Sequence, residues 1–120
     1  ATDHAPHSSI EKEVELEQAA CGISGLETAL SVSLRLVHDK ILSFPGLIAK
    51  LTLNPSKILG IDAGSLKIGS NADLTIIDLD REWTVDPAAF RSKGKNTPFG
   101  GWRLRGKVVK TIVRGEVVYG

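Results

Sequence analysis

Ala1-Thr2-Asp3-His4-Ala5-Pro6-His7 opens the chain, and its reading decides where the other residues are placed. The heptapeptide reads as the end of a buried strand that breaks into a polar loop. That loop carries one carboxylate and two imidazoles. No initiator methionine precedes it. A chain that opens in the middle of a candidate site is expected to be a piece of something larger.

Downstream, residues 8–20 are acidic and weakly periodic, which predicts a surface loop with at most a helical turn. Cys21-Gly22-Ile23-Ser24-Gly25 makes a tight connection. Ser24-Gly25-Leu26-Glu27 has the spacing of a capping box, a hydroxyl followed three residues later by a glutamate. Behind it Leu26, Leu30, Leu34, Val37 and Ile41 form one apolar stripe, predicting a helix of about five turns. Phe44-Pro45-Gly46 is expected to stop it. Leu47, Ile48 and Leu51 suggest a second short helix. Asn54-Pro55 reads as an N-cap followed by proline at the first helical position, and Gly60 as the glycine beyond the end.

From Gly64 the pattern changes. Leu74–Leu79 and Glu82–Val85 are rich in β-formers. Lys107–Val113 and Glu116–Tyr119 flank Arg114-Gly115, the signature of a β-hairpin. Between these blocks the polar segment Ser92–Arg105 shows no clear element, and long segments of that kind often carry function. The chain is therefore read as α/β, helical first and then β-rich, with a boundary near residue 65.

Composition narrows the function classes. The chain has 120 residues, 42% of them apolar, and a net charge of +1. That balance exerts no strong pull toward nucleic acid or an anionic membrane. From Arg91 to Arg114 there are eight basic residues and no acidic one. The run lacks the interleaved aromatics of a single-strand binder, so a solvated face or intramolecular partners are expected. Cys21 is the single cysteine. An internal disulfide is thus excluded, and a reducing, cytoplasmic setting fits. No apolar run approaches the roughly 20 residues that span a bilayer.

Among residues able to carry chemistry, Asp3 comes first. A carboxylate just past a strand end serves as a metal ligand, a proton shuttle or a plain loop cap. His4 and His7 lie three apart, but zinc needs three or four ligands, and the remaining His38 lies within the helical segment. Cys21 has no Cys-His-Asn pattern around it and reads as a small buried hydrophobe. Gly22 beside it allows backbone to approach a ligand closely, because glycine lacks Cβ. Gly60, Gly64 and Gly69 fit no phosphate-binding pattern.

The opening heptapeptide together with Cys21-Gly22-Ile23-Ser24-Gly25-Leu26-Glu27-Thr28-Ala29-Leu30 resembles the C-terminal part of the dihydroorotase family. Asn54-Pro55-Ser56-Lys57-Ile58-Leu59-Gly60, Gly69-Ser70-Asn71-Ala72-Asp73-Leu74 and Lys95-Asn96-Thr97-Pro98-Phe99-Gly100-Gly101 extend the resemblance over essentially the whole chain. It implies the last strand end and closing helices of a (β/α)8 TIM barrel in residues 1–65. Residues 66–120 would be part of a small β-sandwich domain. It also implies zinc-dependent, reversible hydrolysis of the cyclic amide of dihydroorotate to N-carbamoyl-L-aspartate in pyrimidine biosynthesis. Asp3 would be ligand to one zinc and proton shuttle. His7 would hold the substrate carboxylate, and Cys21 and Gly22 would offer backbone groups to the ring.

The family's other metal ligands, including a His-x-His pair, lie upstream of these residues. The 120-residue chain is therefore expected to be inactive alone and to need the N-terminal part of the barrel. Self-association and binding to aspartate transcarbamoylase are further implied partners. The rivals are another cyclic amidohydrolase of hydantoinase or allantoinase type, a non-catalytic scaffold subunit, and a basic β-rich binding module. Asp3-x-x-x-His7 and the Gly-Leu-Glu-Thr block argue against the first of these.

Overall fold

The computed structural model describes residues 2–120, so Ala1 of the opening heptapeptide lies outside the described residues. Residues 2–7 hold no helix or strand beyond one bridge position, His4. One parallel rung joins His4 to Ile23, with Ala5 N–H donating to the Ile23 carbonyl at 2.8 Å. The expected strand end is thus a single rung. No further strand flanks it among the described residues.

Helix α1, Ser9–Lys12, is one turn. It carries a true capping box: Ser8 Oγ accepts from Glu11 N–H, and Glu11 Oε2 accepts from Ser8 N–H at 2.8 Å. The box read at Ser24–Glu27 does not form. Ser24 Oγ instead donates to the Gly94 carbonyl, and the Glu27 carboxylate accepts from Arg91 and Ser92 N–H.

Helix α2 is Ala29–His38, shorter at both ends than its apolar stripe. Leu34 is 1% exposed, whereas Leu26 and Ile41 lie outside the helix at 58% and 71%. The helix stops early because Lys40 adopts a left-handed φ of 58°. Ile41 N–H then reaches Leu36 O and Lys40 N–H reaches Val37 O, the paired bonds of a Schellman motif. A lysine occupies the position that glycine usually marks, which hid the stop from a sequence reading.

Phe44-Pro45-Gly46 opens the next helix instead of ending α2. Helix α3 is Phe44–Leu51, with Ser43 Oγ accepting from Gly46 N–H and the proline in its first turn. Helix α4 is Leu53–Leu59. Thr52 is its N-cap, so Asn54 and Pro55 sit inside the first turn, two positions further in than expected. Gly60 ends it at φ 67°, as the sequence indicates.

Three strands follow: β1 Leu74–Thr84, β2 Arg103–Val113 and β3 Glu116–Tyr119, in one antiparallel sheet ordered β1-β2-β3. The two β blocks read at 74–79 and 82–85 are largely one strand with an irregularity between Asp78 and Glu82. There Asp78 Oδ1 accepts from Asp80 and Arg81 N–H and bends the chain. The hairpin turn falls on Arg114 and Gly115, at φ 50° and 85°, the two positive angles of a type I′ turn. Asp73 Oδ1 accepts from Arg114 N–H at 2.7 Å and braces that turn from the far side of the sheet.

Helix α2 lies against β2. Leu34 presses on Gly106, whose carbonyl accepts from Ser31 Oγ and Trp83 Nε1. Beside this contact Val85, Phe90 and Leu104 form the buried core, with Val32, Trp83 and Phe99 packed on it. The basic run finds its partners within the chain. Arg103 pairs with Glu82, Arg105 with Asp80, Lys107 lies over Trp83 and Arg91 over Tyr119.

Gly106 sets a sharp test of this packing. At φ 90°, an added Cβ would stand 2.3 Å from Leu34 Cδ1. Gly106→Ala should lower stability by about 2–3 kcal/mol through overpacking. Urea unfolding followed by tryptophan fluorescence reads the loss. An unchanged midpoint would contradict the α2–β2 contact.

Candidate functional site

Three segments meet at one end of the molecule: residues 4–7, residues 21–25 and residues 94–96. Asn96 joins them. Its Nδ2 donates to the Ala5 carbonyl at 3.0 Å and the Gly22 carbonyl at 3.3 Å. Its Oδ1 accepts from His7 N–H at 2.9 Å and lies 2.8 Å from Ser24 Oγ, whose single proton it shares with the Gly94 carbonyl. All four hydrogen-bonding positions of the amide are used. Ser24 N–H adds a bond to the Asn96 carbonyl at 2.7 Å. Gly94 completes the junction, because a Cβ there would stand 2.5 Å from Pro6 Cα. No reading of the sequence alone singled out Asn96. The only signal was its place in an otherwise featureless polar segment.

His7 is half-buried. Its Nε2 lies 3.0 Å from the Cys21 carbonyl and donates to it, which in the neutral ring puts the proton on that nitrogen. Its Nδ1 faces Glu11 Oε1 at 3.8 Å. His7 and Cys21 are thus brought together by one hydrogen bond. The Gly22 carbonyl also accepts from Lys12 Nζ at 3.1 Å, so two donors already hold it. Lys12 Nζ reaches the Ala20 carbonyl as well and closes the 8–20 loop on itself.

Two expectations change. Cys21 is exposed, not a buried hydrophobe. Gly22 does require glycine, at φ 102°, but its close neighbour is Ala5: a Cβ would meet the Ala5 Cβ at 2.5 Å.

His4 braces the backbone. Its Nδ1 accepts from Gly25 N–H at 3.1 Å, with Leu26 N–H at 3.4 Å, and its Nε2 faces Ser92 Oγ. Glu27 straps the start of α2 to residues 91–92 through both carboxylate oxygens, at 3.0 and 2.9 Å.

Asp3 stands apart from these bonds. It is exposed, at a left-handed φ of 47°, a conformation aspartate tolerates better than most residues. Its carboxylate makes no hydrogen bond or ion pair among the described residues. Open clefts of about 470–580 Å³ lie on the surface, the largest between the opening segment, α2 and α4. None of them is lined by Asp3, His7, Cys21 or Gly22.

A metal would find one carboxylate here. No group of three or more His, Cys, Asp or Glu side chains able to hold a metal exists among the described residues. The nearest imidazole, His4, has Nδ1 committed to backbone N–H groups. The donor set fits a single ligand of a shared site and not a complete one. Among the described residues no helix is long and apolar enough to cross a membrane.

An opening segment that bears a carboxylate, three helices and a small antiparallel sheet are joined by one clamp. The amidohydrolase family model matches residues 1–118, and the chain belongs to that family. It is 55% identical over 118 residues to a dihydroorotase from Syntrophus aciditrophicus, covering 98% of this chain and 28% of that one. A dihydroorotase from Geobacter metallireducens is likewise 55% identical, over 99% of this chain and 28% of its own length. The chain thus spans little more than a quarter of these relatives. Among solved structures it is similar to an L-hydantoinase from Arthrobacter aurescens, with TM-score 0.81 and 40% identity over 87% of this chain and 24% of that one. A dihydropyrimidinase from Brevibacillus agri superposes with TM-score 0.90 over 98% of this chain and 27% of its own. At 22% identity that likeness speaks for the fold alone.

Glu11 supplies a pH-dependent handle on the loop beside His7. Hydrogen bonds from the Ser8 side chain and then its backbone hold the Glu11 carboxyl below its ordinary value of 4.5, with His7 adding to the effect. Because the folded value is the lower one, the cap contributes fully above about pH 4.5 and is lost as pH falls through the folded value. Carbon NMR of the Glu11 carboxyl should titrate below 4.5 in the unaltered chain and move back toward 4.5 in Ser8→Ala. Identical titrations would contradict the capping box.

Proposed function

We propose that this chain is the C-terminal portion of a dihydroorotase. Its enzyme hydrolyses the cyclic amide of dihydroorotate to N-carbamoyl-L-aspartate, and closes the ring in the opposite direction. The observation that carries this reading is the 55% identity to dihydroorotases along nearly all of the chain.

In this reading α2, α3 and α4 are closing helices of a (β/α)8 barrel, and residues 2–7 are the end of its last strand. Residues 1–65 belong to the barrel and 66–120 to a small β domain. Asp3 is one of several zinc ligands. Zinc, when bound, lowers the pKa of a water and polarises the scissile carbonyl. Asp3 takes a proton from the attacking water and delivers it to the departing ring nitrogen. The carboxylate is exposed and makes no hydrogen bond or ion pair among the described residues, which is compatible with both roles. His7 and the Cys21-Gly22 backbone hold the substrate beside it. To engage a substrate carboxylate, the His7 Nε2–H exchanges its bond to the Cys21 carbonyl.

A second reading has its own support. The 40% identity to an L-hydantoinase supports hydantoin as the alternative substrate.

The test is a full-length chimera in which residues 1–120 replace the matching residues of the Syntrophus aciditrophicus dihydroorotase. Loaded with zinc, it should turn over dihydroorotate in preference to hydantoin, and the 120-residue chain alone should turn over neither. Asp3→Asn should lower kcat by about 10²–10⁴-fold, the scale of a lost general acid–base group. Preference for hydantoin would favour the second reading. An unaffected Asp3→Asn variant would overturn the role of the carboxylate.

A further inference from the structure

We propose that Asn96 is a positioning residue for substrate binding. The inference rests on the reading that His7 and the Cys21-Gly22 backbone hold the substrate. Asn96 touches neither the His7 ring nor the Cys21-Gly22 peptide N–H groups; it fixes the backbone that carries them. On one side its Oδ1 takes His7 N–H and its Nδ2 takes the Ala5 carbonyl. On the other its Nδ2 takes the Gly22 carbonyl and its Oδ1 takes Ser24 Oγ. One planar amide therefore sets the separation of the two loops that carry His7 and the Cys21-Gly22 backbone.

The chemistry explains why asparagine is needed. The bridge demands two donors and two acceptors in one plane. Aspartate supplies only acceptors and would face the Ala5 and Gly22 carbonyls with negative charge. Alanine supplies neither. Glutamine carries the same amide one methylene further out, into loops already in contact at Gly94–Pro6 and Gly22–Ala5. Lys12 is a weaker second tie, because it reaches only the Gly22 side.

The bond from His7 Nε2 to the Cys21 carbonyl shows what the clamp protects. That bond spans the same two loops. Once the amide is removed, His7 and residues 21–22 can drift apart. Displacements of that size act first on substrate affinity, since the groups that touch substrate are no longer preorganised.

The experiment uses the full-length chimera with zinc bound, assayed well below its melting temperature. Asn96→Ala should raise KM at least tenfold while kcat stays within about threefold. Asn96→Asp, which keeps both acceptors, should also raise KM and covers the case in which the alanine variant folds poorly. His7→Ala supplies the readout that a purely structural role would not move. If Asn96 acts through His7, adding Asn96→Ala to His7→Ala should raise KM by less than about threefold further, a strong departure from additivity. Full multiplication of the two effects, or a folded Asn96 variant with unchanged KM, would overturn the proposal. A parent chimera that accepts hydantoin and refuses dihydroorotate would instead overturn the substrate reading. The same KM comparison, made with hydantoin, would then decide the role of Asn96.

Discussion

The side chain of Asn96 holds the candidate site together. Four hydrogen bonds from one amide tie three stretches of chain that are separated by up to 91 residues in sequence. Each such bond contributes only about 1 kcal/mol net. Removing the amide costs more than that figure suggests, because its partners are half-buried and would be left unsatisfied. The constraint is steric as well as polar. Gly94 lies too close to Pro6, and Gly22 too close to Ala5, for any larger residue at either glycine.

The rest of the fold places Asn96 where it can act. Helix α2 is fixed to β2 by Leu34 against Gly106 and by Ser31 bonded to the Gly106 carbonyl. The segment between β1 and β2 starts in the core at Val85 and returns at Leu104, both at most 3% exposed. It is pinned midway by Phe90 in the core and by Glu27 at residues 91–92. Residues 94–96 are thereby delivered to the opening segment. The hydrophobic core thus sits at one end of a chain of contacts whose other end is the loop carrying His7.

Much of this was legible in the amino acids. The hairpin at Arg114-Gly115 and the end of α4 at Gly60 follow from local backbone preference, which sequence reports directly. The order of helices before strands follows from hydrophobic period. What escaped was decided by distant partners. Ser24 and Glu27 have the spacing of a capping box, yet residues 91–96 compete for both side chains and win. Lys40 in a left-handed turn ends α2 where a glycine would have announced the stop. Of the candidate residues, Asp3, His7 and Gly22 drew attention by their own chemistry, and Cys21 only through family resemblance. The hydrogen bond between His7 and the Cys21 carbonyl had no forerunner in the sequence, and Asn96 stood out only by lying in the polar segment between the β blocks.

The account turns on Asp3 as a ligand to a metal whose other ligands this chain does not hold. A structure of the zinc-loaded full-length chimera, with zinc located by its anomalous scattering, tests that most directly. The account predicts an Asp3 carboxylate oxygen at about 2.0–2.2 Å from the metal. A zinc shell complete without Asp3, with that carboxylate turned to solvent, would contradict it.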